Sequence, residues 1–123
     1  MILQSDRVYA CGRNPYFLAW PDVLQLNAFD VGLRLAAVQT VLEIAGQCDG
    51  IRCDMAMLLL NAIFERTWAQ RAGRRPKTEY WTEAIAIVRE SHPDFLFIAE
   101  AYWDLEWALQ RLDFDLLLRQ EAL

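Results

Sequence analysis

The sequence predicts an α/β chain, rich in helix, with two parallel strands set between helices. Three observations carry that expectation. Gly50-Ile51-Arg52-Cys53-Asp54 and Phe95-Leu96-Phe97-Ile98-Ala99-Glu100 are short, mostly apolar runs, and each ends in a carboxylate. Strands of a parallel sheet, covered on both faces, read as such runs, whereas half-exposed strands alternate. Helix-like sequence flanks both runs, and the order helix–strand–helix–strand–helix marks a parallel arrangement.

Taken in order, residues 1–28 read as irregular, because Gly12, Asn14-Pro15 and Trp20-Pro21 break any period, with a short extended piece near Val8-Tyr9-Ala10. Asp30 is placed to cap a helix whose inner stripe is Val31, Leu35, Val38, Leu42 and Ala45, with Arg34, Gln39, Glu43 and Gln47 facing water. Asp49-Gly50 stops that helix and opens the first strand, 50–54. Residues 56–70 read as a second helix. Arg71-Ala72-Gly73-Arg74-Arg75-Pro76-Lys77 holds four of the twelve basic residues, but its Gly and Pro make it a solvated loop before a phosphate site. Thr78 caps a helix with Trp81, Ile85 and Val88 inward, and Pro93-Asp94 resets the chain into the second strand, 95–99. A last helix is expected from about Asp104 to Leu118, burying Leu105, Ala108, Leu109 and Leu112.

The whole chain, 1–123, reads as one unit without internal repeat or linker. A net charge of −5 argues against nucleic acid as a partner. Cys11, Cys48 and Cys53 are an odd count without metal or disulfide spacing, and together with one histidine they predict no zinc site and a reducing compartment. No signal peptide is readable, and the longest apolar run, Met55 to Leu60, is too short to span a bilayer, so the expectation is a cytoplasmic protein with no membrane partner.

Asp54 and Glu100 lie 46 positions apart (100 − 54), about one strand–helix–strand unit. Acids at the C-terminal ends of neighbouring parallel strands are how α/β barrels hold their chemistry. Glycoside hydrolysis needs two carboxyl groups facing one bond. Arg52 shares a strand face with Asp54 and is expected to keep it ionised, as a nucleophile requires. Glu100 precedes Tyr102 and Trp103, and an acid held against aromatic rings is expected to keep its proton and donate it.

Gly50-Ile51-Arg52-Cys53-Asp54-Met55-Ala56 resembles the G-x-R-x-D strand of the α-amylase family, glycoside hydrolase family 13. Phe97-Ile98-Ala99-Glu100-Ala101-Tyr102-Trp103 is similar to that family's acid/base strand, and Trp20-Pro21-Asp22-Val23-Leu24-Gln25-Leu26-Asn27 to the segment leading into the nucleophile helix and strand. The likeness spans roughly residues 7 to 115. It implies part of a (β/α)8 TIM barrel and a retaining α-glycosidase acting on oligo- or polysaccharide α-glucosides. Asp54 would be the nucleophile, Glu100 the acid/base and Arg52 the residue that orients Asp54, with Tyr102 and Trp103 lining a sugar subsite. No cofactor is implied by these residues, although some members of the family carry calcium; Asp22 and Asn27, the nearest candidates, read better as a turn acid and a helix-start cap.

A complete barrel takes about 250 residues, and this chain has 123. The family's D-x-x-x-N-H segment and His-Asp pair are absent, so the third catalytic carboxylate has no counterpart, and His92 falls in a loop at the rim opposite the acids. The resemblance therefore implies a central slice of the barrel, with exposed apolar edges that promote self-association. The alternative is a catalytically inactive truncated chain. Trp20, Trp68, Trp81 and Trp107 are expected to pack in the core or an interface.

Overall fold

The structure is a computed structural model that describes residues 2–4 and 6–119. Its organising element is a three-stranded parallel sheet of β5 (Gly50–Cys53), β6 (Leu96–Glu100) and β7 (Leu116–Leu118), with β6 in the centre. Before it come two small antiparallel pairs, β1 (Ile2–Gln4) with β2 (Arg7–Tyr9), and β3 (Cys11–Gly12) with β4 (Trp20–Leu24). The helices are α1 (Val31–Ala45), α2 (Asn61–Trp68), α3 (Tyr80–Ser91) and α4 (Glu106–Gln110). The chain is therefore mixed α/β with a parallel sheet. No barrel is formed among the described residues. None of their helices is long and apolar enough to cross a membrane.

Register decides which residues share a face. Arg52 pairs with Ile98, Ile98 with Leu116, and Glu100 with Leu118; Cys53 pairs with Ala99, and Ala99 with Leu117. Partners across a parallel ladder point the same way, and neighbours along a strand point opposite ways. One face thus holds Cys53, Phe97 and Ala99, all buried against Val38, Val41 and Ala45 of α1 and Trp81, Ala84, Ile85 and Val88 of α3. The opposite face holds Arg52, Leu96, Ile98, Glu100, Leu116 and Leu118, and nothing among the described residues covers its leucines: Leu116 is 55% exposed. An open face is unusual for a parallel sheet, whose strands ordinarily have cover on both sides. Gly50 allows the two strands to close up, since a Cβ there would sit 3.0 Å from the Leu96 carbonyl oxygen.

Several expectations change. Asp30 does cap α1, accepting the Leu33 amide at 2.8 Å. The buried stripe, however, is Arg34, Val38, Val41 and Ala45, while Val31 and Leu35 face solvent. Arg34 turns inward because its guanidinium reaches three acceptors: Ala28 O at 2.7 Å, Thr78 O at 2.9 Å and Asn61 Oδ1 at 2.7 Å. The expected helix over 56–70 is broken at Leu60 into a 3-10 turn (Ala56–Leu59) and α2, whose first amide, on Asn61, is bound by the Glu79 carboxylate at 2.9 Å. Thr78 does not cap α3. Glu79 occupies that position, and the Thr78 hydroxyl donates to Glu83.

The last expected helix fails most clearly. It stops after five residues, and Asp113, at φ 76°, turns the chain back into β7. Aspartate tolerates that left-handed conformation better than most residues. The new strand is fastened by Asp115, whose carboxylate accepts the Phe97 amide at 2.7 Å and the Arg89 guanidinium at 3.0 Å. Of the tryptophans, Trp68 and Trp81 are buried as expected. Trp107 is exposed beside Arg111, and Trp20 is partly exposed on β4.

Candidate active site

The C-terminal ends of β5 and β6 lie side by side, and that is where the charged groups of the open face meet. Cys53 pairs with Ala99, so Asp54, just past the end of β5, stands level with Glu100, the last residue of β6. Arg52 spans them, with Nη2 3.1 Å from Glu100 Oε2 and Nη1 3.8 Å from Asp54 Oδ2. Glu100 is buried, 8% exposed, and collects further donors: the Met55 amide at 3.0 Å on Oε2 and the Tyr102 hydroxyl at 2.6 Å on Oε1. Asp54 is the outer member, with its side chain 74% exposed, and its carboxyl shares a hydrogen bond with that of Glu100.

The turns that build this arrangement are strained. Met55 has φ 47°, and Trp103 and Asp104 have φ 61° and 59°. Non-glycine residues in the left-handed region cost about 1–3 kcal/mol each, and such strain concentrates at functional sites. The Met55 conformation has a visible product, since it brings the Met55 amide onto Glu100.

The electrostatics run opposite to the expectation. Glu100 was expected to hold its proton. Instead, the hydrogen bond from Asp54, those from Tyr102 and the Met55 amide, and the Arg52 charge bring its carboxyl down to about 2. Asp54 was expected to be kept ionised by Arg52. Its hydrogen bond to Glu100, with some desolvation, raises it above the usual carboxylate range, and Arg52 only partly offsets this. The hydrogen bond between the two acids is the main cause of the inversion, and Arg52, nearer Glu100 than Asp54, adds a smaller part. The aromatic neighbour of Glu100 acts through its hydroxyl and not through an apolar wall. The same bond raises the Tyr102 phenol.

Trp103 does not join this polar cluster. Its ring packs edge-on against Tyr16 at 4.7 Å and beside Phe17 at 6.2 Å, on the loop between β3 and β4. The two groups of residues meet at Tyr102 and Arg119. A polar hollow of about 350 Å³ is bounded by Arg52, Glu100, Tyr102, Leu118 and Arg119. Next to it, an aromatic cleft of about 510 Å³ is bounded by Asn14, Phe17, Trp20, Tyr102, Trp103 and Arg119, among others. The sequence reading missed Asn14, Phe17 and Arg119, which lie far from either strand motif along the chain.

A hollow at the other end of the sheet, about 560 Å³, lies among Cys48, Asp49, His92 and Asp94. Ligands of open α/β sheets bind outside the carboxyl ends of the strands, and this hollow is at the amino ends. His92 ends α3 there, at the rim opposite the acids. Asn27 accepts the Phe29 amide ahead of α1, Asp22 lies on the exposed strand β4, and among the described residues no three His, Cys, Asp or Glu side chains are grouped to hold a metal ion. Cys53 packs in the core, and burial pushes its thiol up to about 12. The basic side chains of 71–77 are exposed, with Arg75 paired to Glu65 at 3.8 Å, while Ala72, at the end of a 3-10 turn, is buried. No protein family, curated protein or solved structure matches the chain.

Proposed function

We propose that the chain is a central slice of a (β/α)8 catalytic domain of the α-amylase type, and that its chemistry is retaining cleavage of α-glucosides. The observation that carries this reading is the pairing of Asp54 with Glu100 at the C-terminal ends of adjacent parallel strands, on the face that helices leave open. A barrel covers one face of its strands with helices and turns the other to the interior. That division matches the covered and open faces of this sheet.

In double displacement, Asp54 attacks the anomeric carbon while Glu100 protonates the leaving oxygen, and Glu100 then takes a proton from the water that releases the sugar. Retaining enzymes hold the two carboxyl groups about 5–5.5 Å apart. Here the two carboxyls are hydrogen-bonded to each other, a contact that raises Asp54 and lowers Glu100. A bound glycoside must therefore part them. Parting them removes the largest cause that holds Glu100 down, so the same event raises the carboxyl that must carry a proton. Arg52 stays against both carboxyls and steadies the ionised Asp54.

The test is trapping. Incubation with a fluorinated α-glucosyl fluoride should add one fluoroglucosyl mass to the peptide that contains Asp54, and Asp54→Asn should abolish it. Turnover of an aryl α-glucoside should fall by about 10³-fold or more in the same variant. Label elsewhere, or an unchanged rate, would make Asp54 the wrong nucleophile.

A second reading has its own observation. The leucines of the open face point to a non-catalytic chain that associates through that face and the free edges of β5 and β7. Leu116→Asp, which sets a charge on the open face at the edge strand without touching the core, should then convert an assembly to monomer in sedimentation. A wild-type chain that is already monomeric at high concentration would dispose of this alternative.

A further inference from the structure

We propose that the aromatic cleft beside the acid pair is a binding subsite for a pyranose ring, and that Asn14 supplies its directing hydrogen bond. The assignment of this ring to the leaving-group side rests on the glycosidase reading; the subsite itself rests on the cleft. Its volume of about 510 Å³ falls in the range of about 300–1,000 Å³ typical of small-ligand sites.

Asn14 is the informative residue. It is 6% exposed, and its Oδ1 accepts the amides of Tyr16 at 2.9 Å and Phe17 at 2.8 Å. Those two donors fix which end of the amide is oxygen, because a reversed amide would set N–H against N–H. Its Nδ2 is then a buried donor with no partner among the described residues. Buried polar groups are nearly always satisfied, and an orphan calls for an explanation. Asn14 lines the cleft, so an oxygen of a ligand seated at its base supplies the missing acceptor.

The other walls define the ligand. Phe17, Trp20 and Trp103 present apolar ring surface, and Tyr102 and Arg119 are polar and shared with the hollow that holds Glu100. A pyranose has C–H faces suited to aromatic rings and an edge of oxygens suited to an amide and a guanidinium. A purely aliphatic ligand would leave the Asn14 donor unpaired, and a small anion would leave the rings unused. Phe17 is 69% exposed. A large aromatic ring left in solvent at the cleft mouth is what a stacking platform looks like when empty of partner surface.

The experiment is a titration of the ¹⁵N-labelled chain with maltose, read at the indole N–H signals. Those of Trp20 and Trp103 should move, while those of Trp68 and Trp81, buried elsewhere, stay fixed. Asn14→Asp keeps both acceptor contacts to the loop and removes only the donor, and should weaken maltose about tenfold, as for one lost hydrogen bond. Phe17→Ala, at an exposed position, should weaken it comparably without lowering the melting temperature. Indole signals that ignore maltose, or affinities unaltered in both variants, would overturn the subsite. Shifted indoles without a label on Asp54 would uphold the subsite and reject hydrolysis. A label on Asp54 with unmoved indoles would do the reverse.

Discussion

Replacing Arg34 with methionine should lower the stability of this chain by about 3–5 kcal/mol, as expected when a buried charged group is removed from its partners. Three acceptors depend on that one side chain: Ala28 O before α1, Asn61 Oδ1 at the start of α2, and Thr78 O before α3. Asn61 in turn donates to Pro76 O and Thr78 O, and its own amide is bound by Glu79. Methionine fills much of the volume but leaves Ala28 O and Asn61 Oδ1 without the guanidinium donor, and Thr78 O with only the Asn61 amide. Domains of this size are stable by only about 5–15 kcal/mol, so the loss should appear as a fall in melting temperature on the order of 10 °C or more. Burial pulls the guanidinium below its ordinary value, with Glu83 and Glu79 opposing. Arg34→Lys should recover only part of the loss, because an ammonium cannot reproduce the planar fork. Asp30→Ala, which removes only the cap of the same helix, should cost about 1 kcal/mol. Melting of Arg34→Met within 2–3 °C of wild type would mean that the three segments are held by something else.

That residue also marks where sequence reading succeeds and fails. Asp30, Gly50 and Pro93 are local punctuation: α1 and β5 begin where the first two place them, and β6 runs one residue later than expected, Leu96–Glu100. The acids at the ends of β5 and β6 were legible because period and spacing alone bring Asp54 level with Glu100. Arg34 was read as outward because a charge in a helix normally faces water. Two of the three acceptors that draw it inward lie 27 and 44 residues away, beyond any window along the chain. β7 was hidden for a different reason. Leu112, Leu116 and their neighbours continue a helical spacing, and only the left-handed turn at Asp113 and the clamp at Asp115 redirect them. The direction of the Glu100 and Asp54 shifts was missed because residue types were legible and distances were not. The arginine that shares a strand with Asp54 lies closer to Glu100, across the sheet. Asn14 offered a signal that went unused: in Asn14-Pro15 it was read only as a chain breaker.

The acid pair should make stability depend on pH with a sign that each variant changes in its own way. Glu100 has a folded value of about 2 against an ordinary value of 4.5. A carboxyl depressed by folding contributes stability that is complete above its unfolded value. That contribution drains away as pH falls from about 4.5 toward 2. At 1.36 kcal/mol per unit, the shift sets an upper limit of about 3 kcal/mol, and Asp54 lowers it. Asp54 is raised by the same hydrogen bond, so its term has the opposite sign: a penalty that appears as pH rises past its unfolded value and persists at neutrality. The slope that survives belongs to the donors which Glu100 does not share with Asp54, namely Tyr102 and the Met55 amide, with a smaller part from Arg52, which lies against both acids. Asp54→Asn removes the penalty, because its amide donates to Glu100 without having to keep a proton. This variant should be more stable than wild type at pH 7 and should lose stability more steeply in acid. Glu100→Gln should be less stable at pH 7 by about 1–3 kcal/mol, the cost of leaving buried donors poorly matched, and should flatten the profile between pH 5 and 2. Urea midpoints for the three proteins at pH 7, 5, 4 and 3 measure all of this. Parallel profiles for wild type and Glu100→Gln would mean that Glu100 is not the ionised member. A neutral-pH loss in Asp54→Asn would mean that contact with Glu100 does not raise the Asp54 carboxyl, and the inversion at this site would have to be reversed. A gain in Asp54→Asn would mean that stability is given up to keep two acids in contact, a cost usually tolerated where chemistry needs them together.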